Sequence, residues 1–321
     1  MQSNNIEVLG HAISNGKGVQ LNLDIAKLHT RTKIQVPVIV ERAKKDGPTV
    51  LITAGIHGNE INGVEIVRQL IARKWNKPEA GMVICIPVVN VFGFLNQKRQ
   101  FPDGRDLNRV FPGSPRGSLA SRFAFHIIKE IVPLVDYCMD FHTGGDGRFN
   151  VPQIRVDQED LESIELAKIF AAPFIVKSGQ RDKSFRHALH RLHKKVLLFE
   201  GGKSLDINES VTKSGLAGAL RVIKHLGIRD FTKELGMLSP KPGNSVMVTK
   251  SSWIRAKYSG MFHPSVSLGS RVEKGDVLGS ISDPFGYFER HIKARFSGYV
   301  LCINQSPIVN QGDGILHITK D

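Results

Sequence analysis

From about residue 48 to residue 230, short apolar, β-branched runs alternate with segments of helical period, and no other feature constrains the fold as much. The runs fall at residues 49–54, 82–89, 135–141, 174–176 and 196–199. The helical segments fall at 61–74, 119–132, 161–171, 183–193 and 215–226. Strands alternating with helices predict an α/β fold: a mostly parallel or mixed sheet with helices on both faces. In such sheets ligands sit beyond the carboxyl ends of the strands. His57, His142 and Glu200 all fall at or just after predicted strand ends.

The composition shifts near Ser239-Pro-Lys-Pro-Gly243. Beyond it the helical period stops, and short strands with glycine turns are expected at 253–257, 260–264, 277–281, 292–294, 298–301 and 315–318. Two units are therefore expected, residues 1–238 and a small all-β unit over 239–321. The stretch from Val266 to Gly279 and the phrase Ala294-Arg-Phe-Ser-Gly-Tyr-Val300 resemble biotinyl/lipoyl-type barrel-sandwich domains. Those domains carry a modifiable lysine at a hairpin tip, and Ser282-Asp-Pro-Phe-Gly-Tyr-Phe288 has none. An accessory wall over an active site is the better expectation than a swinging-arm carrier. Residues 1–44 hold no interpretable motif and are expected to form an edge hairpin on the main domain.

A chain of 321 residues suffices for one large domain, or one large and one small. Nothing approaches the ~18 consecutive apolar residues of a membrane span. Met1-Gln-Ser-Asn-Asn-Ile6 has neither a basic start nor an apolar stretch, so no signal peptide is visible. Cys85, Cys138 and Cys302 are odd in number and far apart, which points to buried thiols and a cytoplasmic protein. The net charge is +14, yet residues 236–321 hold only 10 basic and 6 acidic side chains, so most of the excess is spread through the larger unit. Such a field favours small anionic substrates. No aromatic-interleaved basic stripe or recognition motif indicates nucleic acid.

His57-Gly-Asn-Glu60 and the later His142 supply two imidazoles and one carboxylate, the donor set of a catalytic zinc with one coordination position open. On the first turn of a helix the i, i+3 spacing would put His57 and Glu60 on one face. A metal held there polarises a scissile carbonyl and lowers the pKa of water toward ~7, the chemistry of a hydrolase. Singly, a His-x-x-Glu pair is common by chance, and a strand-end histidine is often a satisfied core residue. The joint placement carries the argument. Glu200, ending Val196-Leu-Leu-Phe-Glu200, suits a general base. The loop from Arg99 to Gly113 is dense in Arg, Asp, Asn and Gly. Asn108 and Arg109 are expected to bind a substrate carboxylate, because a guanidinium fork plus an amide can hold one bidentately. Arg105 and Asp106 stay open between loop support and ligand contact. Asp140 either orients a ligand histidine or points elsewhere.

Gly55-Ile-His-Gly-Asn-Glu60, Asp106-Leu-Asn-Arg-Val-Phe111, Asp140-Phe-His-Thr143 and Phe199-Glu-Gly-Gly202 occur in the order found in the succinylglutamate desuccinylase/aspartoacylase family, relatives of the zinc carboxypeptidases, which the chain resembles over roughly residues 45–321. The resemblance implies one zinc per chain held by His57, Glu60 and His142, with Glu200 activating water and protonating the leaving amine. It also implies that Asn108 and Arg109 grip the substrate carboxylate and that Arg99 stabilises charge near the oxyanion. Members of the family often form dimers or larger homo-oligomers. The expected function is deacylation of an N-acylated amino acid or a similar small carboxylate-bearing amine. The alternatives are a metallocarboxypeptidase acting on peptides and, less favoured because every ligand, the base and the Asn-Arg pair are present, a non-catalytic binding protein on the same fold.

Overall fold

The computed structural model describes residues 5–27, 30, 31, 33–238 and 243–321, so the expected junction at residues 239–242 and the first four residues lie outside it. Among the described residues thirteen strands make one mixed sheet. Its main path runs Ser251–Arg255, Gly314–Thr319, Gly298–Asn304, Arg148–Val156, Lys195–Lys203, Tyr137–Gly144, Lys45–Ala54, Ala80–Ile86, Lys33–Arg42, Gly18–Lys27. In the centre Lys45–Ala54 pairs in parallel with Ala80–Ile86 and Tyr137–Gly144, and Tyr137–Gly144 with Lys195–Lys203. Along this path both flanks are antiparallel, while Phe174–Lys177 branches off Arg148–Val156 in parallel, so the sheet is mixed. Gly18–Lys27 and Lys33–Arg42 form the N-terminal edge hairpin.

Alternation along the central strands splits the core into two layers. Val50, Ile52 and Ala54 pack with helices Ile61–Ala72, Leu161–Phe170 and Glu209–His225 on one face. Leu51 packs with Leu119–Glu130, Phe185–Arg191 and the N-terminal hairpin on the other. Phe141 and Phe199 belong to the first layer, with ring centroids 5.5 Å apart. Their successors His142 and Glu200 must therefore project to the opposite face. Truncating either ring to Ala would cost about 3–5 kcal/mol, the range for large aromatic core residues, and would loosen the strand ends that hold the site.

The C-terminal strands do not all form a separate barrel-sandwich. Glu289–Lys293, Val277–Ser282, Gly260–Pro264 and Ile308–Val309 make an antiparallel sheet of their own. Ser251–Arg255, Gly314–Thr319 and Gly298–Asn304 instead extend the large sheet, because Gly298–Asn304 pairs with Arg148–Val156. The two layers share a core that includes Phe262, Leu278, Ile281, Val300 and Ile318. Among the described residues no helix is long and apolar enough to cross a membrane. All three cysteines are buried thiols.

Candidate active site

His57 and Glu60 lie in the turn between strand Lys45–Ala54 and helix Ile61–Ala72, not on the helix's first turn. The Glu60 N–H donates to the His57 carbonyl at 3.1 Å, and this turn, rather than helical pitch, brings the side chains together. Gly58 between them packs so closely on the Gly93–Phe94 backbone that a Cβ would lie 1.9 Å from the Gly93 carbonyl carbon. His142 reaches the same point from the Tyr137–Gly144 strand.

Glu60 sits between the two rings. Its Oε1 lies 2.7 Å from His57 Nδ1 and its Oε2 lies 2.8 Å from His142 Nδ1. All three side chains are buried, and their candidate ligand atoms lie within 4.8 Å of one another. The outer ring nitrogens are also engaged: His57 Nε2 is 3.1 Å from Asp106 Oδ1, and His142 Nε2 is 2.9 Å from Asp140 Oδ2. Asp140 in turn accepts the Thr53 hydroxyl at 2.7 Å. Each imidazole thus lies between two carboxylates, and the outer ones, Asp106 and Asp140, fix the orientation of the rings as a metal site requires of its histidines.

Burial alone would raise the pKa of Glu60, but His57 and His142 outweigh it and hold the carboxyl far below the usual range. Burial is likewise overcome at Asp106, by His57 and Arg99, and at His142, whose pKa is driven well up by Asp140 and Glu60. The site is built for positive charge. Two imidazole nitrogens and a carboxylate oxygen, ringed by two further carboxylates, fit a divalent cation, and this group could hold one.

A cavity of about 560 Å³ opens over these residues and also takes in Glu200, Arg99, Asn108 and Arg109. Glu200 is the register partner of His142 on the adjacent strand. Arg99 donates to Asp106 Oδ2 at 2.9 Å and to Glu60 Oε1 at 3.3 Å. Asn108 spends its Oδ1 on the Phe185 N–H at 2.8 Å, which leaves its Nδ2 for the cavity. Arg109 donates to the Asn108 carbonyl, and its burial lowers its pKa. The open positions resolve: Asp106 supports His57 and Arg99, while Arg105 is exposed beside Asp103, outside this cavity. A larger cleft of about 810 Å³ lies on another side of Arg109, and none of the three possible metal ligands lines it.

The catalytic-domain model of the succinylglutamate desuccinylase/aspartoacylase family matches residues 46–226, more than half of the chain. The chain belongs to this family. It is 28% identical over 300 residues to the N-α-acetyl-L-2,4-diaminobutyric acid deacetylase of Halomonas elongata, covering 89% of this chain and 86% of the relative. A succinylglutamate desuccinylase/aspartoacylase from Rhodobacter sphaeroides superposes with a TM-score of 0.80 at 25% identity, over 94% and 96% of the two chains. A succinylglutamate desuccinylase from Silicibacter sp. TM1040 shares the fold with a TM-score of 0.85 at 22% identity, over the full length of both.

In this family member the cavity wall holds residues that the sequence alone did not single out. Arg155, Arg181 and Arg186 line it beside Glu200, and Arg148, Trp253 and Arg255 close another side. Arg186 is 7% exposed, and burial pushes its pKa down to about 10. Its Nη2 donates to Ser178 Oγ and the Gly179 carbonyl, while its Nη1 has no hydrogen-bond partner among the described residues. In the sequence it sits in the helical segment 183–193 among Lys183, His187, His190 and Arg191. The one local signal is its place beside Phe185, Ala188 and Leu189, the apolar face of that helix.

Proposed function

We propose that this protein is a zinc-dependent amidohydrolase that deacylates an N-acylated amino acid or a similar small, carboxylate-bearing amine. The observation that carries this reading is the gathering of the buried His57, Glu60 and His142 donors and Glu200 in one cavity edged by guanidinium groups. The deacetylase activity named for the Halomonas elongata relative supports it. His57 and His142, each through Nδ1, and Glu60 would hold the ion. Zinc there supplies Lewis acidity, polarising the amide carbonyl and bringing the pKa of water toward ~7.

The chain's own residues do the rest. Glu200 takes the proton that water loses as its oxygen adds to the amide carbon. It returns that proton to nitrogen as the C–N bond breaks, so the products are a carboxylate and a free amine. Asn108 Nδ2 and Arg109 grip the substrate carboxylate. Arg99, fixed on Asp106 and Glu60, holds positive charge near the carbonyl oxygen as negative charge develops there. Arg186 lines the same cavity and adds its positive charge there for an anionic group.

In this reading residues 1–238 form the catalytic part, on a zinc carboxypeptidase-like sheet, and residues 239–321 an accessory β part. Trp253, Arg255 and Gly314 of that part wall the cavity, which favours a small substrate over a peptide. The test is chelator treatment followed by zinc restoration, read as release of free amine from N-acyl amino acids. Loss and recovery of release support the reading, and release indifferent to the chelator overturns its zinc dependence.

A further inference from the structure

Among the described residues, one hydrogen bond holds the Glu200 carboxylate. Its Oε2 accepts a hydrogen bond from Asn150 Nδ2 at 2.7 Å. Among the described residues its Oε1 accepts no hydrogen bond, and the Arg155 Nε lies 3.7 Å away, an ion pair beyond hydrogen-bond distance. A carboxylate only accepts, so the amide must present nitrogen to it and the orientation of Asn150 is fixed.

Asn150 is itself well anchored. It is 6% exposed and lies on strand Arg148–Val156 between two neighbours. Gly202 of strand Lys195–Lys203 is its register partner on one side and Cys302 of strand Gly298–Asn304 on the other. The register between Lys195–Lys203 and Arg148–Val156 shifts between Glu200 and Gly202, so the last paired stretch is irregular where Glu200 stands. Irregular pairing leaves a glutamate free to rotate unless something ties its carboxylate. A C-terminal strand, more than a hundred residues away in sequence, fixes the backbone from which that tie is made.

We propose that Asn150 is a positioning residue for Glu200: it pins Oε2 and leaves Oε1 as the oxygen that takes and returns the proton. This rests on the reading of Glu200 as the base. The residue type fits the task. An aspartate at this position would set a second carboxylate against the first, and a lysine would add a further cation to the Arg155 guanidinium already 3.7 Å from Oε1 and weaken the base. A neutral amide donor fixes geometry while leaving the carboxylate its charge.

The test uses the full-length, zinc-loaded protein with Asn150→Ala and, as the smaller change that keeps a polar side chain, Asn150→Ser. Crystal structures of wild type and variants read the position of the Glu200 carboxylate. Steady-state kinetics use whichever member of an N-acetyl amino acid panel, including N-α-acetyl-L-2,4-diaminobutyrate, the wild type hydrolyses. In the Ala variant the carboxylate should leave its wild-type position, zinc content should stay unchanged, and kcat should fall about 10²-fold, the scale of a displacement of about 1 Å at a reacting group. KM should stay within about twofold, because the lost interaction acts on the reaction step and not on substrate binding. An unmoved Glu200, an unchanged kcat, or a loss confined to KM overturns the proposal. If the wild type hydrolyses no member of the panel, the functional reading is what fails, and the crystal structures still decide whether Asn150 holds Glu200.

Discussion

Glu200 and His142 are register partners on adjacent parallel strands, Lys195–Lys203 and Tyr137–Gly144. Side chains alternate along a strand, so both project to one face, with Leu198 and Asp140 two residues behind them. Phe199 and Phe141 project to the other face and pack together in the core. A slip of one residue in either strand would exchange these roles and carry a phenyl ring into the cavity. The relation between the Glu200 carboxylate and the histidine is therefore set by sheet register rather than by loop conformation.

Replacing Glu200 by Gln keeps the shape and removes the proton acceptor. We expect kcat to fall by about 10²–10⁴-fold, the typical weight of a positioned general base, with zinc content unchanged. Kinetics paired with metal analysis checks this. Activity near the wild-type level would remove Glu200 from the mechanism.

Asp106 holds the outer nitrogen of His57 and two nitrogens of Arg99. Asp106→Ala should weaken zinc binding by about 10–100-fold, as loss of a carboxylate behind a ligand histidine commonly does. Competition with a chelator of known affinity measures it. Unchanged affinity would show that His57 needs no such support.

Much of this architecture was legible in the sequence because its signals are local. Apolar runs marked five strands of the large sheet, but strands Tyr137–Gly144 and Lys195–Lys203 continue past Phe141 and Phe199, so His142 and Glu200 stand within their strands rather than at or after the ends, and only His57 follows its strand. Strand Arg148–Val156 was not legible: polar side chains and Pro152 interrupt its apolar pattern, and its pairing with Gly298–Asn304 depends on chain segments far apart. Asn150 and Arg155 were missed with it. Arg186 was missed because its burial comes from tertiary packing, which a basic helix does not advertise. His57 and Glu60 were expected on a helix, but the turn that joins them is made by a backbone hydrogen bond that spacing alone does not distinguish.

Arg186 separates stability from function. Burial of the Arg186 cation costs the folded state, and its hydrogen bonds to Ser178 and the Gly179 carbonyl offset part of that, so Arg186→Met should change stability in urea by no more than about 1 kcal/mol. It should also lower kcat/KM by about 10–100-fold, the loss of one charged hydrogen bond to substrate. A destabilised variant with full activity would assign Arg186 a structural role only.

His317 stacks on Trp253 at 4.8 Å, and burial, helped by the charge of Arg155, pushes its pKa down to about 4 from 6.5. Between these values the unfolded chain binds the extra proton and the folded chain does not, so stability rises with pH across that window. The contribution is complete above about pH 6.5 and is lost progressively toward pH 4, on the order of 3 kcal/mol over the whole range. Urea unfolding at several pH values should show this slope, and His317→Gln should flatten it. An identical slope in the variant would mean that other groups set the acid sensitivity.

The most direct test of the central claim is the zinc content of the purified protein by mass spectrometry, with His57→Ala as control, joined to an assay for amine release from N-acyl amino acids. The account predicts about one zinc per chain, as for a single site of three protein ligands, with metal and deacylation both lost in the variant. Failure of the wild type to bind zinc even after reconstitution, or a His57→Ala variant that keeps both metal and activity, would contradict it.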